Sequence, residues 1–240
     1  MNFFKSDLCL LCSNTITRTI GWTTLLLGLE KTLLCEKCQG QLQRIQGEIC
    51  QICSRPLDKL DPQFRIGHHC LDCTNWEKSS RWKNVLEKNY SLYEYNDFMT
   101  EVIARFKYRG DYAIAKVFSA SISEQIQKIE YDLLVPIPLS EERLYERGFN
   151  QAESLIIEAG FAPTNLLTRV HTEKQSKKTR NERIHLPQVF QIAQTSQPIR
   201  QKRILLIDDV YTTGSTLRHA AERLKQAGAK SIKSLTLARG

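Results

Sequence analysis

The stretch Arg203-Ile-Leu-Leu-Ile-Asp-Asp-Val-Tyr-Thr-Thr-Gly-Ser-Thr216 decides the fold. Ile204 to Ile207 form an apolar run without polar interruption, the pattern of a parallel strand buried on both faces. Asp208 and Asp209 follow at the carboxyl end of that strand, the edge where open α/β sheets take up ligands. After the turn Thr212-Thr213-Gly214-Ser215-Thr216, an amphipathic run from Leu217 to Ala227 stops at Gly228, as a helix should. A small-residue turn opening a helix points backbone N–H groups outward, and the helix dipole adds positive potential. The hydroxyls of Thr212, Thr213, Ser215 and Thr216 add donors to this phosphate cradle.

Two adjacent acids beside such a cradle suit sugar hydroxyls, or a magnesium ion that keeps several waters. A sugar phosphate such as phosphoribosyl pyrophosphate satisfies both halves. A plain strand–turn–helix with an ordinary hydroxyl cap is the competing reading, but the acid pair followed by Thr-Thr-Gly is rare. The stretch resembles the phosphoribosyl-pyrophosphate motif of the phosphoribosyltransferase family along its whole length. That resemblance marks the fold more strongly than the activity.

At 240 residues the chain suits one domain of about 150 residues plus a smaller one. The expected division is a Cys-rich zinc-ribbon module over 1–78 and an α/β domain over 79–240. Neither a signal peptide nor a run long enough to span a membrane is evident, so a cytoplasmic protein without membrane insertion is expected. Net charge is +8 and unevenly placed: nine basic and eight acidic residues before position 81 leave +7 on residues 81–240. Two four-thiolate zinc sites would bring the front end to about −3, leaving a basic second domain suited to nucleic acid or a phosphorylated small molecule.

All eight cysteines lie in four Cys-x-x-Cys pairs: Cys9/Cys12, Cys35/Cys38, Cys50/Cys53 and Cys70/Cys73. Each pair on a tight turn presents two sulfurs to one side of a metal, and two turns complete a tetrahedron. Joining neighbouring pairs gives one zinc to Cys9, Cys12, Cys35 and Cys38 and another to Cys50, Cys53, Cys70 and Cys73; an interleaved pairing is the alternative. Disulfides do not suit a reducing compartment, and four-cysteine sites leave no open position, so a structural role is expected. His68 and His69 read as knuckle-loop residues. Chelation is expected to unfold residues 1–80 and spare the second domain.

Residues 75–89 are charged and read as a linker. Strand Tyr90–Tyr95 comes next, then a helix with Phe98, Val102, Ile103 and Phe106 on one face, flanked by Lys107 and Arg109 and stopped by Gly110. Ile114, Val117, Phe118 and Ile122 mark another helix. The strand in Asp132–Pro138 is ended by Pro136 and Pro138. Arg143, Arg147, Asn150 and Gln151 follow, either meeting a pyrophosphate at the edge of Asp208 or lying on a solvated helix. Lys174, Lys177, Lys178, Arg180 and Arg183 crowd a polar loop that can close over a phosphorylated ligand, grip a nucleic-acid backbone, or stay solvated. Aromatics are absent from Arg169 to Pro187, which leaves Tyr145, Phe149 and Tyr211 as candidate base stackers. A last strand spans Ser231–Leu237.

The paired knuckles, Phe106-Lys-Tyr-Arg-Gly-Asp111, Pro136-Ile-Pro138, Glu146-Arg-Gly-Phe-Asn-Gln151, Lys174-Gln-Ser-Lys-Lys178 with Arg180, and Ile207–Gly214 together resemble the late-competence ComF family in its ComFC type, over nearly the whole chain. The resemblance implies a phosphoribosyltransferase-type, mainly parallel sheet with flanking helices behind a small zinc-ribbon module. It implies a role in natural transformation: handling incoming single-stranded DNA on the cytoplasmic side, at the periphery of the uptake machinery, beside the ATP-driven DNA translocase. The alternative is an active phosphoribosyltransferase with an unidentified acceptor. There Asp208 and Asp209 hold the ribose hydroxyls and Thr212–Thr216 the 5′-phosphate, while Mg2+ with Arg147 or the basic loop holds the pyrophosphate. Charge stabilisation then supplies much of the catalysis.

Overall fold

A computed structural model describes residues 8–16, 32–169, 189–194 and 197–240. Its elements run α1 (Glu36–Gln41), β1 (Arg65–Ile66), β2 (His69–Cys70), α2 (Leu71–Lys78), β3 (Lys88–Glu94), α3 (Asp97–Tyr108) and α4 (Ile114–Gln127). Then follow β4 (Leu133–Pro136), α5 (Glu141–Arg147), α6 (Gln151–Glu158), β5 (Leu167–Arg169), β6 (Phe190–Ile192), β7 (Arg203–Tyr211), α7 (Ser215–Gln226) and β8 (Ser231–Arg239). The central sheet has the order β3-β8-β7-β4 with every pair parallel. β1 and β2 form a small antiparallel ribbon inside the cysteine-rich region, and β5 pairs antiparallel with β6.

The run Ile204–Ile207 does what its composition demands. Side chains alternate across a strand, so Leu205 and Ile207 enter one core while Ile204 and Leu206 enter the other. The first core is closed by Val102, Ile103 and Phe106 of α3, Phe118 and Ile122 of α4, and Leu155 of α6. The second is closed by Leu217, Ala221 and Leu224 of α7. Helices on both faces of a parallel sheet are the α/β architecture that the sequence predicts.

The cysteine-rich region contributes to both cores. Cys9, Leu11, Ile16 and Cys38 belong to the first, and Cys50, Cys53, Leu57, Cys70 and Cys73 to the second. The backbone is joined as well: Ile45 N–H donates to Leu92 O at 3.0 Å, and Asn89 N–H donates to Ile52 O at 2.7 Å. Residues on either side of the expected boundary at 78 and 79 thus share their apolar interior.

Residues 75–89 are not a linker. Trp76 ends up 7% exposed, Trp82 4% and Leu86 1%, with the two indoles edge to face at 5.2 Å. The charged residues between them, Glu77, Lys78, Arg81 and Lys83, give the segment a polar composition while the apolar ones anchor it. β3 begins at Lys88 and β8 runs on to Arg239, beyond the expected limits. Among the described residues no helix is long and apolar enough to cross a membrane.

Candidate functional site

β7 carries the acid pair to the carboxyl edge of the sheet. Asp209 is 6% exposed, and a buried carboxylate needs a partner. Lys107 supplies it, with Nζ 2.8 Å from Asp209 Oδ2. Lys107 is on the last turn of α3, fixed by fully buried Phe106 and followed by Gly110 at φ 63°. Asp208 accepts the Asp209 backbone N–H at 2.9 Å. Burial, and next the Asp209 charge, push the Asp208 carboxyl up to about 7, against the pull of Lys107. Arg169, from β5, comes within electrostatic reach of Asp208 together with Arg143 and Arg147; burial first and Arg143 next draw its guanidinium downward. The edge therefore joins one acid poised to titrate near neutrality, one acid already paired, and a group of arginines.

The Thr212–Thr216 loop begins where β7 ends. Gly214 is the N-cap of α7 at φ 78°, a region that costs other residues strain. A Cβ there would overlap the Tyr211 hydroxyl and the Arg218 guanidinium. Thr213 Oγ1 accepts the Ser215 N–H at 3.3 Å, which fastens the turn. Thr212 and Thr216 are exposed, Thr213 and Ser215 half-buried.

Beneath the loop lie three side chains with no obvious part in a solvated helix or strand. Arg239 Nη1 donates to Tyr211 O at 3.2 Å and to Thr212 O at 2.9 Å. Trp76 Nε1 donates to Thr213 O at 3.0 Å. Arg218, fully buried, donates to Tyr211 Oη at 2.5 Å and stacks its guanidinium over Trp76 at 4.9 Å.

Both groups of four cysteines come together as neighbouring pairs, not interleaved. The Sγ atoms of Cys9, Cys12, Cys35 and Cys38, and those of Cys50, Cys53, Cys70 and Cys73, lie within 4.8 Å of one another in each group. The Cys12–Cys35 and Cys53–Cys70 sulfurs are 3.6 Å apart, close to the edge of about 3.8 Å for a tetrahedron of Zn–S bonds. Four sulfurs and no other donor suit zinc or another thiophilic cation, with no position left for a substrate. In the second group, Cys50 Sγ accepts the Cys70 N–H at 3.4 Å and Cys53 Sγ accepts Arg239 Nη2 at 3.5 Å. Neither His68 nor His69 joins a group.

Four of the residues expected near the ligand have structural duties instead. Tyr211 is 2% exposed with its hydroxyl held by Arg218, so it cannot stack a base. Asn150 caps α6 through Ala152 N–H and donates to Ile137 O. Gln151 is buried, donating to Phe106 O and accepting Arg147 Nη1 at 2.9 Å, so it serves to orient Arg147. Phe149 packs at 5.5 Å from Phe106 and 5.1 Å from Tyr112. Tyr145, in contrast, is 91% exposed, and Tyr108, 75% exposed, lies under the Arg147 guanidinium. Lys174, Lys177, Lys178, Arg180 and Arg183 lie outside the described residues.

The sequence reading missed Trp76, Arg169, Arg218 and Arg239 as site residues, and took Lys107 only as a helix-end charge. Arg218 gave no signal: on a helix it falls to the side of the stripe Leu217, Ala220, Ala221 and Leu224, where a solvated arginine is ordinary.

Comparison with known proteins agrees with this arrangement. Residues 146–240 match the phosphoribosyl transferase domain model. The chain is 40% identical over 237 residues to competence protein ComFC of Bacillus subtilis, covering 97% of this chain and 95% of that protein. It is 35% identical over 232 residues to competence protein ComFC of Streptococcus pneumoniae, covering 96% and 99%. It is 24% identical over 226 residues to the DNA utilization protein YhgH of Salmonella typhi, covering 86% and 96%. With similarity of that extent, and with the acid pair, the loop and the cysteine groups placed as described, the chain belongs to the ComFC family of competence proteins, built on a phosphoribosyltransferase-type fold.

Proposed function

We propose that this protein handles incoming single-stranded DNA on the cytoplasmic side during natural transformation, working beside the ATP-driven translocase at the periphery of the uptake machinery. The observation that carries this reading is the similarity, over 97% of the chain, to a protein named for competence. The surface suits it. Tyr145 exposes its ring on the helix that also carries Arg143 and Arg147, and Tyr108 lies under the Arg147 guanidinium; single strands are held by base stacking on aromatics along a cationic track. Lys174, Lys177, Lys178 and Arg180 extend the positive charge in sequence. Two zinc ions in the cysteine groups are structural.

The test is fluorescence anisotropy with a labelled oligothymidylate across a salt series. Affinity should fall steeply as salt rises. Tyr145→Ala should weaken binding by about 1–3 kcal/mol, and Arg143→Ala should flatten the salt slope by about one unit. Affinity indifferent to salt overturns the reading.

A second reading is favoured by the acid pair beside a loop that only glycine can complete: a phosphoribosyltransferase acting on phosphoribosyl pyrophosphate. Asp208 and Asp209 would hold the ribose hydroxyls, Thr212–Thr216 the 5′-phosphate, and Arg147 the pyrophosphate, with Mg2+ supplying charge neutralisation when bound. Calorimetric titration of phosphoribosyl pyrophosphate with magnesium should give a binding isotherm that Asp208→Asn/Asp209→Asn abolishes. A flat titration of the parent protein removes this reading and leaves DNA as the ligand.

A further inference from the structure

The second cysteine group and the phosphate loop share their fastenings. Three consecutive carbonyls of the loop, Tyr211, Thr212 and Thr213, each accept a hydrogen bond from a side chain on the cysteine side. Arg239 binds the first two and, through its other terminal nitrogen, Cys53 Sγ. Trp76, which binds the third, is on α2 one turn beyond Cys73.

In a trans peptide the C=O and the following N–H point in opposite directions. Drawing the carbonyls of 211, 212 and 213 toward the cysteines therefore turns the N–H groups of Thr212, Thr213 and Gly214 the other way, as an anion cradle requires.

The charges also match. A divalent ion on four thiolates leaves −2, and such a charge in the interior needs counter-charges. Two arginines with the burial to provide them lie against it: Arg239 is 4% exposed and Arg218 fully buried. Among the described residues Arg218 Nε and Nη2 and Arg239 Nε have no hydrogen-bond partner. Neutral acceptors alone do not balance these guanidinium charges; the thiolates face both, with Glu77 adding its charge at Arg218.

We propose that Arg239 is a positioning residue that transmits occupancy of the Cys50–Cys53–Cys70–Cys73 centre to the Thr212–Thr216 loop, so that a phosphate-bearing ligand binds tightly only to the metal-loaded protein. The inference rests on the reading of that loop as a phosphate site. Metal at the centre keeps Cys53 an anionic acceptor in fixed position; Arg239 is then held at one end and holds the two carbonyls at the other. Without the metal the four sulfurs are no longer held at one point, Arg239 loses its anchor, and the N–H groups lose their common direction.

The experiment uses the full-length, zinc-loaded protein with phosphoribosyl pyrophosphate and magnesium as the probe. If the parent protein does not bind the probe, the loop is not a phosphate site and the inference falls with that reading. If it binds, Arg239→Gln should retain both zinc equivalents and lose about tenfold in affinity, within the usual range of coupling between sites. Arg239→Lys, which cannot reach both carbonyls and the sulfur, should be rescued little. Unaltered affinity in zinc-loaded Arg239→Gln overturns the positioning role while leaving the phosphate site intact.

Coupling is reciprocal, which gives a readout independent of any variant. Saturating probe should raise the affinity of one of the two zinc ions, measured by competition with a chromogenic chelator, by the factor by which that zinc raises the affinity for the probe. Equal retention of zinc with and without probe overturns the proposal even where the variants fail to fold.

Discussion

The two cysteine groups use one motif and differ in how completely they are buried. In the first, Cys9 and Cys38 are buried but Cys12 is exposed and Cys35 half-buried; in the second, Cys50, Cys53 and Cys70 are 0% exposed and Cys73 1%. Each is gripped by an arginine from the α/β part. Arg105 of α3 donates to the Leu10 and Leu11 carbonyls of the first knuckle and pairs with Asp111, whereas Arg239 of β8 reaches a sulfur. Ligand spacing sets the coordination polyhedron, and burial sets how much of the protein depends on it. The first group puts two of its cysteines into one core and leaves two toward the surface; all four of the second are part of the other core.

The largest effect should separate the groups. A structural zinc site contributes about 10–16 kcal/mol, as much as the whole stability of a typical domain. Cys70→Ser should leave no cooperative thermal transition for the entire chain, while Cys12→Ser should keep the transition at a lower midpoint with one metal equivalent. Chelation of both should therefore disturb the α/β part as well, unlike the selective unfolding of 1–80 that the sequence suggests. Equal melting curves for the two variants break the comparison.

Next in size is Trp76, whose buried indole packs edge to face on Trp82 and fastens the loop through Thr213 O. Trp76→Ala should cost about 3–5 kcal/mol in denaturant unfolding, and Trp76→Phe, which keeps a ring and loses only the bond to Thr213, about 1–2 kcal/mol. Arg105→Ala should cost about 1–3 kcal/mol and speed metal loss from the first group only; faster loss from the second would show that the two are linked.

The smallest effect concerns pH. The Asp208 carboxyl, raised to about 7 by burial and by Asp209, is protonated in the fold where the unfolded chain, at about 3.9, is already ionised. Its contribution to stability is full below about 4 and is lost as pH rises through 7. Magnesium-dependent ligand binding, which needs the carboxylate, should strengthen over the same rise. Lys107→Met, removing the charge that draws the value down, should move the midpoint upward. A midpoint near 4 in the parent protein would contradict the buried environment.

What could be read from the sequence was whatever depends on local pattern. The unbroken run Ile204–Ile207, the helix stops at Gly110 and Gly228, and the pairing of neighbouring knuckles all follow from short-range geometry. What escaped was decided by tertiary burial. Trp76 and Trp82 are outnumbered by charged neighbours, so average composition concealed an anchor. Tyr211 reads as an exposed loop aromatic until Arg218 is seen to claim its hydroxyl. Arg239 has the same strand parity as Leu235 and Leu237, but these enter the first core while Arg239 reaches Cys53 of the second; parity misdirects, and nothing nearby in sequence supplies the charge that makes burying it tolerable. That charge is 186 residues away, at Cys53.

This separation has a kinetic consequence. Cys50 to Cys73 can close on a metal within a short loop, quickly and at small entropic expense. The cover over that centre, however, is β8, which lies in the interior of the sheet between β3 and β7 and cannot dock until some of the most distant parts of the chain meet. A nascent chain would thus hold a formed but uncovered thiolate cluster throughout synthesis of the intervening residues. During that interval it is open to oxidants and to competing metals, and the arrival of β8 ends the exposure.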